Sequence, residues 1–173
     1  MPEDPILPID HPMLNQPSED VTVIDDSLRA LAEDMFTVMD RERGAGLAAV
    51  QIGKPIRFVV MDVPDGSQTR HRLAMVNPTI ILASDEMISE VEGCLSMPGY
   101  DIPVSRHASV TVEFMDLEGK PHRMRATGAF SICIQHEVDH TNGILFYDRV
   151  SRLRRQRAKT YFKKVRREAG RAA

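Results

Sequence analysis

Thr127-Gly128-Ala129-Phe130-Ser131-Ile132-Cys133-Ile134-Gln135-His136-Glu137-Val138-Asp139-His140-Thr141-Asn142-Gly143 decides how this chain is read. The stretch has no proline, opens on a Thr suited to an N-cap and closes on Asn142-Gly143, which predicts a helix over Gly128 to Thr141. Ala129, Phe130, Ile132, Cys133 and Ile134 make it apolar almost all round, the pattern of a helix buried on most sides. Two His, a Glu, an Asp and a Gln on such a helix are costly to bury without partners. His136 and His140 stand one helical turn apart, project from one face and can share a metal ion. Glu137 sits about 100° further round, placed to handle the proton of a metal-bound water. In isolation the same pattern would suit two partly exposed histidines at a polar helix end; the apolar context favours the metal.

A catalytic metal centre of this kind has three protein ligands and an open position. Phe146 occupies the place where a longer protease pattern has its third His, Asp148 is too close, and Glu168 falls in a basic segment. The third ligand is therefore expected upstream. Cys133 precedes His140 by roughly 10.5 Å of helix rise, and its side chain tilts away toward the helix N-terminus, so it reads as core. Cys94, in Glu92-Gly93-Cys94-Leu95-Ser96, can approach from a separate strand and complete a His-His-Cys set.

Upstream, Leu28, Leu31, Ala32, Met35, Val38 and Met39 form one apolar stripe, a helix beginning near Asp25 or Asp26 and stopped by Gly44 and Gly46. Ile56 to Val63, Leu73 to Val76, Ile80 to Leu82, Val110 to Met115 and His122 to Ala126 read as strands, the last two joined at Glu118-Gly119-Lys120. Pro2, Pro5, Pro8, Pro12 and Pro17 forbid a regular N-terminal helix and suggest an extended surface segment. The expected class is α+β: antiparallel strands around a central buried helix carrying the His-Glu-x-x-His motif, with an N-terminal helix and a basic C-terminal helix.

The 173 residues suffice for one core, and the net charge of −3 conceals a division. Residues 149 to 173 hold 11 Lys and Arg against one acid, Glu168, a net of +10, leaving −13 on residues 1 to 148. We therefore expect a single catalytic domain over 1 to 148 and a basic helical tail over 149 to 173. The tail's Ala158, Tyr161, Phe162, Val165 and Ala169 make an apolar side suited to docking, and its cations suit either solvent or a partner. No apolar run approaches the roughly 18 residues of a membrane span, and Met1-Pro2-Glu3-Asp4-Pro5 has neither a charged nor an apolar leader region. A cytoplasmic protein is expected, with no disulfide framework from two cysteines. Absence of Trp and 5% aromatics argue against base stacking, and no sequence-specific DNA partner is expected.

Three segments together resemble peptide deformylase: Gly44-Ala45-Gly46-Leu47-Ala48-Ala49-Val50-Gln51, Glu92-Gly93-Cys94-Leu95-Ser96 and Gln135-His136-Glu137-Val138-Asp139-His140. They stand in the family's order at similar separations. The resemblance implies removal of the formyl group from N-formyl-methionyl nascent peptides, releasing formate. It implies one divalent metal ion per chain, Fe²⁺ in the cell, with Zn²⁺, Ni²⁺ or Co²⁺ compatible. It assigns proton transfer to Glu137, and stabilisation of the developing oxyanion to the Gln51 amide and the Leu95 backbone N–H. Substrate contacts are implied at Gly44, Gly46, Glu92, Gly93, Ala129, Ile132 and Cys133, although Ile132 and Cys133 also suit plain core. Glycines at 44 and 46 let an extended peptide pair with the backbone. The family's C-terminal helices suggest a ribosomal contact for the tail. Arg43, Asp101 and Thr141 depart from common family patterns and bear on peptide preference and rate. The competing readings are a metallopeptidase using the same helix and a non-catalytic ribosome-binding paralogue. The second has no need for Glu137 or Gln51; a thiolate ligand disfavours the first by weakening Lewis acidity.

Overall fold

Asp25 begins the first helix in the computed structural model, which describes residues 6–172, with side chains described through Glu168. Its carboxylate accepts from Ser27 N–H at 3.0 Å and Leu28 N–H at 3.2 Å, a cap worth about 1 kcal/mol. The helix it starts, α1 (Asp26–Arg41), buries Leu28, Ala32, Met35, Val38 and Met39. Arg43 then turns into the left-handed region at φ 56°, and Gly44 N–H closes on Met39 C=O at 2.8 Å.

Seven strands follow in two antiparallel sheets. Five of them, β1 (Gly46–Ala48), β2 (Phe58–Pro64), β3 (Arg70–Ala83), β6 (Ser109–Met115) and β7 (Pro121–Thr127), pair in the order β1-β2-β3-β6-β7. The other two, β4 (Met87–Glu92) and β5 (Ile102–His107), pair with each other, Glu92 opposite Ile102. One core cluster lies between α1 and the β1–β2–β3 end of the larger sheet. A second gathers around α2 (Gly128–Thr141) and includes Val59, Val112, Phe130, Ile134 and Phe146. Every residue of α2 from Cys133 to Thr141 is buried. The last described element is α3 (Arg152–Ala172).

Several local expectations need correction. Leu73 to Val76 and Ile80 to Leu82 belong to one strand, because register shifts against β6 absorb the break at Asn77-Pro78. Asn77 takes φ 53°, and its side chain supplies the missing pairing by bonding Val21 N–H at 2.8 Å and Val21 C=O at 2.9 Å. The proline-rich start is not a surface wrap throughout: Ile9 and Leu14 are fully buried, and a 3-10 turn forms at Pro12–Asn15. Thr127 holds the N-cap position of α2, yet its hydroxyl accepts from Gly66 N–H at 3.2 Å instead of capping. Gly128 follows at φ 58°, so close to Gly66 that a Cβ would meet its nitrogen at 2.9 Å. That contact pins the helix start against the β2–β3 turn.

Candidate metal centre and substrate cavity

Three parts of the chain meet at the helix face carrying His136 and His140. Because α2 sets the two imidazoles one turn apart, their ring centroids lie 5.0 Å from each other. Cys94, just past the end of β4, reaches them from the side, with Sγ 3.3 Å from His140 Nε2. The ligand atoms of Cys94, His136 and His140 all lie within 4.8 Å of one another, and all three residues are buried. His136 Nδ1 bonds the Glu92 carboxylate at 2.9 Å, which leaves Nε2 for a ligand. Burial, helped by His136 and Arg106, holds His140 well below the usual histidine range, in the neutral form that donates a lone pair. Burial first, then Glu137 and Glu92, push the Cys133 thiol well up, and it donates instead to Ala45 C=O at 3.6 Å. Burial would lower His136, but its bonds to Cys94 and Glu92 outweigh it and hold it well above the usual histidine range. Two imidazoles and one cysteine, converging with room on one side, are a donor set that fits a divalent cation with an open position, its binding displacing the protons they carry.

Glu92 shows how the site is braced. Its carboxylate receives both arms of a buried Arg106, at 2.7 and 2.9 Å, besides the His136 bond. Burial alone would raise this carboxyl; the Arg106 and His136 bonds outweigh it and bring it down to about 2. Arg106 also donates to Asp139 at 2.6 Å, and Asp139 accepts from Arg149 at 3.0 Å. Two buried acids are thus matched by two arginines. Glu92, expected as a substrate contact, borders the cavity, and its oxygens bond Arg106 and His136.

Gln51 is oriented from behind. Its Oε1 accepts from Ala48 N–H at 2.9 Å, so Nε2 turns toward Ser96 Oγ at 3.1 Å and Cys94 Sγ at 3.6 Å. Leu95 N–H makes no protein hydrogen bond among the described residues. Glu137 is buried with no partner for Oε2 among the described residues, and burial pushes its carboxyl up to about 7. Gly46 approaches so closely that a Cβ would lie 2.6 Å from Glu137 Oε1 and 2.8 Å from Cys133 Sγ. No larger residue fits there without moving the carboxylate.

A cavity of about 1150 Å³ opens above these groups. Its lining includes Gly44, Gly46, Gln51, Glu92, Gly93, Cys94, Leu95, Ala129, Ile132, Cys133, His136 and Glu137. Among the residues expected to act in catalysis, metal binding or substrate contact, His140 alone is not on that lining; it lies beneath, 1% exposed. Arg43 and Asp101 border the cavity, whereas Thr141 is buried away from it and bonds Val138 C=O at 2.8 Å. Sequence reasoning missed Arg106, Ser96 and the reach of Phe162 to the cavity wall. The inward alternation of Ile102, Val104 and Arg106 in β5 carries a signal for the first.

A family model described as polypeptide deformylase matches residues 3–156. The chain belongs to this family. A peptide deformylase from Brucella suis is 44% identical over 161 residues, covering 93% of this chain and 92% of that protein. The crystal structure of a peptide deformylase from Ehrlichia chaffeensis superposes with a TM-score of 0.89 at 35% identity, over 95% of this chain and 97% of that one. A class I type b peptide deformylase from Acinetobacter baumannii, solved with Met-Ala-Ser bound, gives 0.79 at 31% identity, over 84% and 96%. Deformylases are metal-dependent hydrolases, and the Cys94, His136 and His140 cluster is consistent with that chemistry here. Neither the metallopeptidase nor the non-catalytic reading is favoured. Among the described residues no helix is long and apolar enough to cross a membrane.

Proposed function

We propose that this deformylase hydrolyses formyl-methionyl peptides with Cys94, His136 and His140 holding one divalent ion, Fe²⁺ in the cell, and with Glu137 carrying the proton. The observation that carries this reading is the unpartnered Glu137 carboxyl beside three convergent ligands on the cavity floor. A metal bound there supplies the Lewis acidity that makes water nucleophilic near neutral pH. Water adds across the formyl C–N bond, giving formate and a free α-amine, and Glu137 takes the water's proton and passes it to the departing nitrogen. Gln51 Nε2 and Leu95 N–H donate to the formyl oxygen as it gains charge. Gly44, Gly46 and Gly93 give the peptide backbone room, and Ala129, Ile132 and Cys133 form the wall for the methionine side chain.

With formyl-Met-Ala-Ser the protein is expected to release one formate per amine freed, to lose this on chelation and to regain it with Ni²⁺ or Co²⁺. Internal cleavage of an unformylated peptide without formate release would sink the reading.

Residues 1–148 are, in this proposal, the catalytic body, working in the cytoplasm, and the basic segment 149–173 meets a ribosomal surface. Arg152, Arg154, Arg157, Lys163 and Arg167 are exposed on the helix. Contacts to about four phosphates would weaken binding about 100-fold between roughly 50 and 200 mM salt. Ribosome co-sedimentation across that range checks it; salt-insensitive binding would remove the phosphate contacts.

A further inference from the structure

We propose that α3 also belongs to the catalytic apparatus: Tyr161 and Phe162 are positioning residues that hold the Cys94–Tyr100 segment, and with it Cys94 and Leu95 N–H, in place. This rests on the reading of Cys94 as a metal ligand. The segment lies between β4 and β5 and contains neither helix nor strand. It therefore has no ladder of backbone bonds, and its own tie is Met97 N–H to Cys94 C=O at 2.8 Å. Its middle is held from one side, by Ile9 N–H on Ser96 C=O at 2.8 Å and Gln51 Nε2 on Ser96 Oγ at 3.1 Å.

The far end is held by α3. Tyr161 Oη donates to Gly99 C=O at 3.1 Å, and the Tyr100 and Tyr161 rings lie 4.8 Å apart. Gly99 has φ 76°, a conformation suited to glycine, and presents its carbonyl to the tyrosine. One residue on, Phe162 is 8% exposed and reaches the cavity wall that Met97, Pro98 and Gly99 also form. Ala158, fully buried one turn earlier, anchors the helix, and Arg166 pairs with Asp10. Lys163 and Arg167 remain exposed, so an anionic partner can engage the helix while its inner side keeps the segment in place.

A segment with few ties opens at small free-energy cost, and a ligand carried on it is lost with each opening. One neutral hydrogen bond changes such an equilibrium about fivefold. Tyr161→Phe removes the bond and keeps the ring; Phe162→Leu keeps an apolar wall of different shape. In the full-length protein the double variant is expected to lose Ni²⁺ to a chelator about fivefold faster or more, with a similar fall in kcat for formyl-Met-Ala-Ser and little change in KM. Lys120→Gln with Arg125→Gln, exposed and off the cavity lining, should leave both rates within about twofold, since neither reaches the segment. If the double variant does not fold, Tyr161→Phe alone carries the test through the metal-loss rate. Loss within twofold of the parent in a folded variant overturns the proposal. Cys94→Ser and Cys133→Ser, measured alongside, separate the two claims. Fast metal loss in Cys94→Ser with unaffected helix variants removes only the role of α3; parental retention in Cys94→Ser removes the ligand reading beneath it.

Discussion

Glu137→Ala is expected to retain one equivalent of metal and to lose formate release by about 10²- to 10⁴-fold, the usual contribution of a positioned proton carrier. The expectation follows from what Glu137 does not touch. It is not within the cluster of Cys94, His136 and His140, and its Oε2 has no hydrogen-bond partner although the residue is 4% exposed. Burial raises its carboxyl to about 7, with Glu92 adding to the rise and His136 and Arg106 opposing it. A carboxyl poised there can take and return a proton at neutral pH at little cost. The same isolation is destabilising, so removing the side chain should raise the melting temperature by about 2–4 °C per kcal/mol recovered. Glu137→Gln keeps the shape and should be as inactive as Ala, which separates proton transfer from cavity filling. Unchanged turnover in either variant would exclude the role, and metal loss in both would make Glu137 a structural element of the centre.

The sequence makes α2 legible because a polar cluster on an otherwise apolar, proline-free segment has few explanations. Cys94 is within reach of the same reasoning, since helix rise and side-chain tilt both keep Cys133 from the metal face. Other features hide for physical reasons. Asn77-Pro78 looks like the end of a strand, yet Asn77 mimics a backbone pair to Val21 and the strand runs on. The strand β5 contains Pro103 and an inward charge, Arg106, both contrary to the usual strand pattern. The charge fits only because Glu92 and Asp139, distant in sequence, meet it in the fold. Likewise the apolar stripe of α3 tells that the helix docks but not that Phe162 reaches the cavity. Local pattern reports which side of an element is buried; it does not report what lies opposite.

Arg106→Met tests that distant pairing directly and should lower the melting temperature by about 10 °C. Breaking a buried ion pair by removing one partner costs about 3–5 kcal/mol, and each kcal/mol is about 2–4 °C in a chain of this size. The cost falls unevenly. Asp139 keeps Arg149, whereas Glu92 is left with His136 as its one remaining partner. Glu92 would then either take up a proton or draw charge onto His136, and both disturb the tautomer that presents Nε2 to the metal. Loss of such an outer partner weakens metal affinity about 10- to 100-fold, measurable by competition with a chromogenic chelator. Arg106→Met with Glu92→Gln removes the charges together, so it should regain part of the stability while affinity stays low, because a neutral amide orients His136 less firmly than a carboxylate. If Arg106→Met loses stability but binds metal within about twofold of the parent, the arginine only neutralises buried charge. If affinity falls while the double variant recovers stability, the buried arginine tunes the metal centre through Glu92.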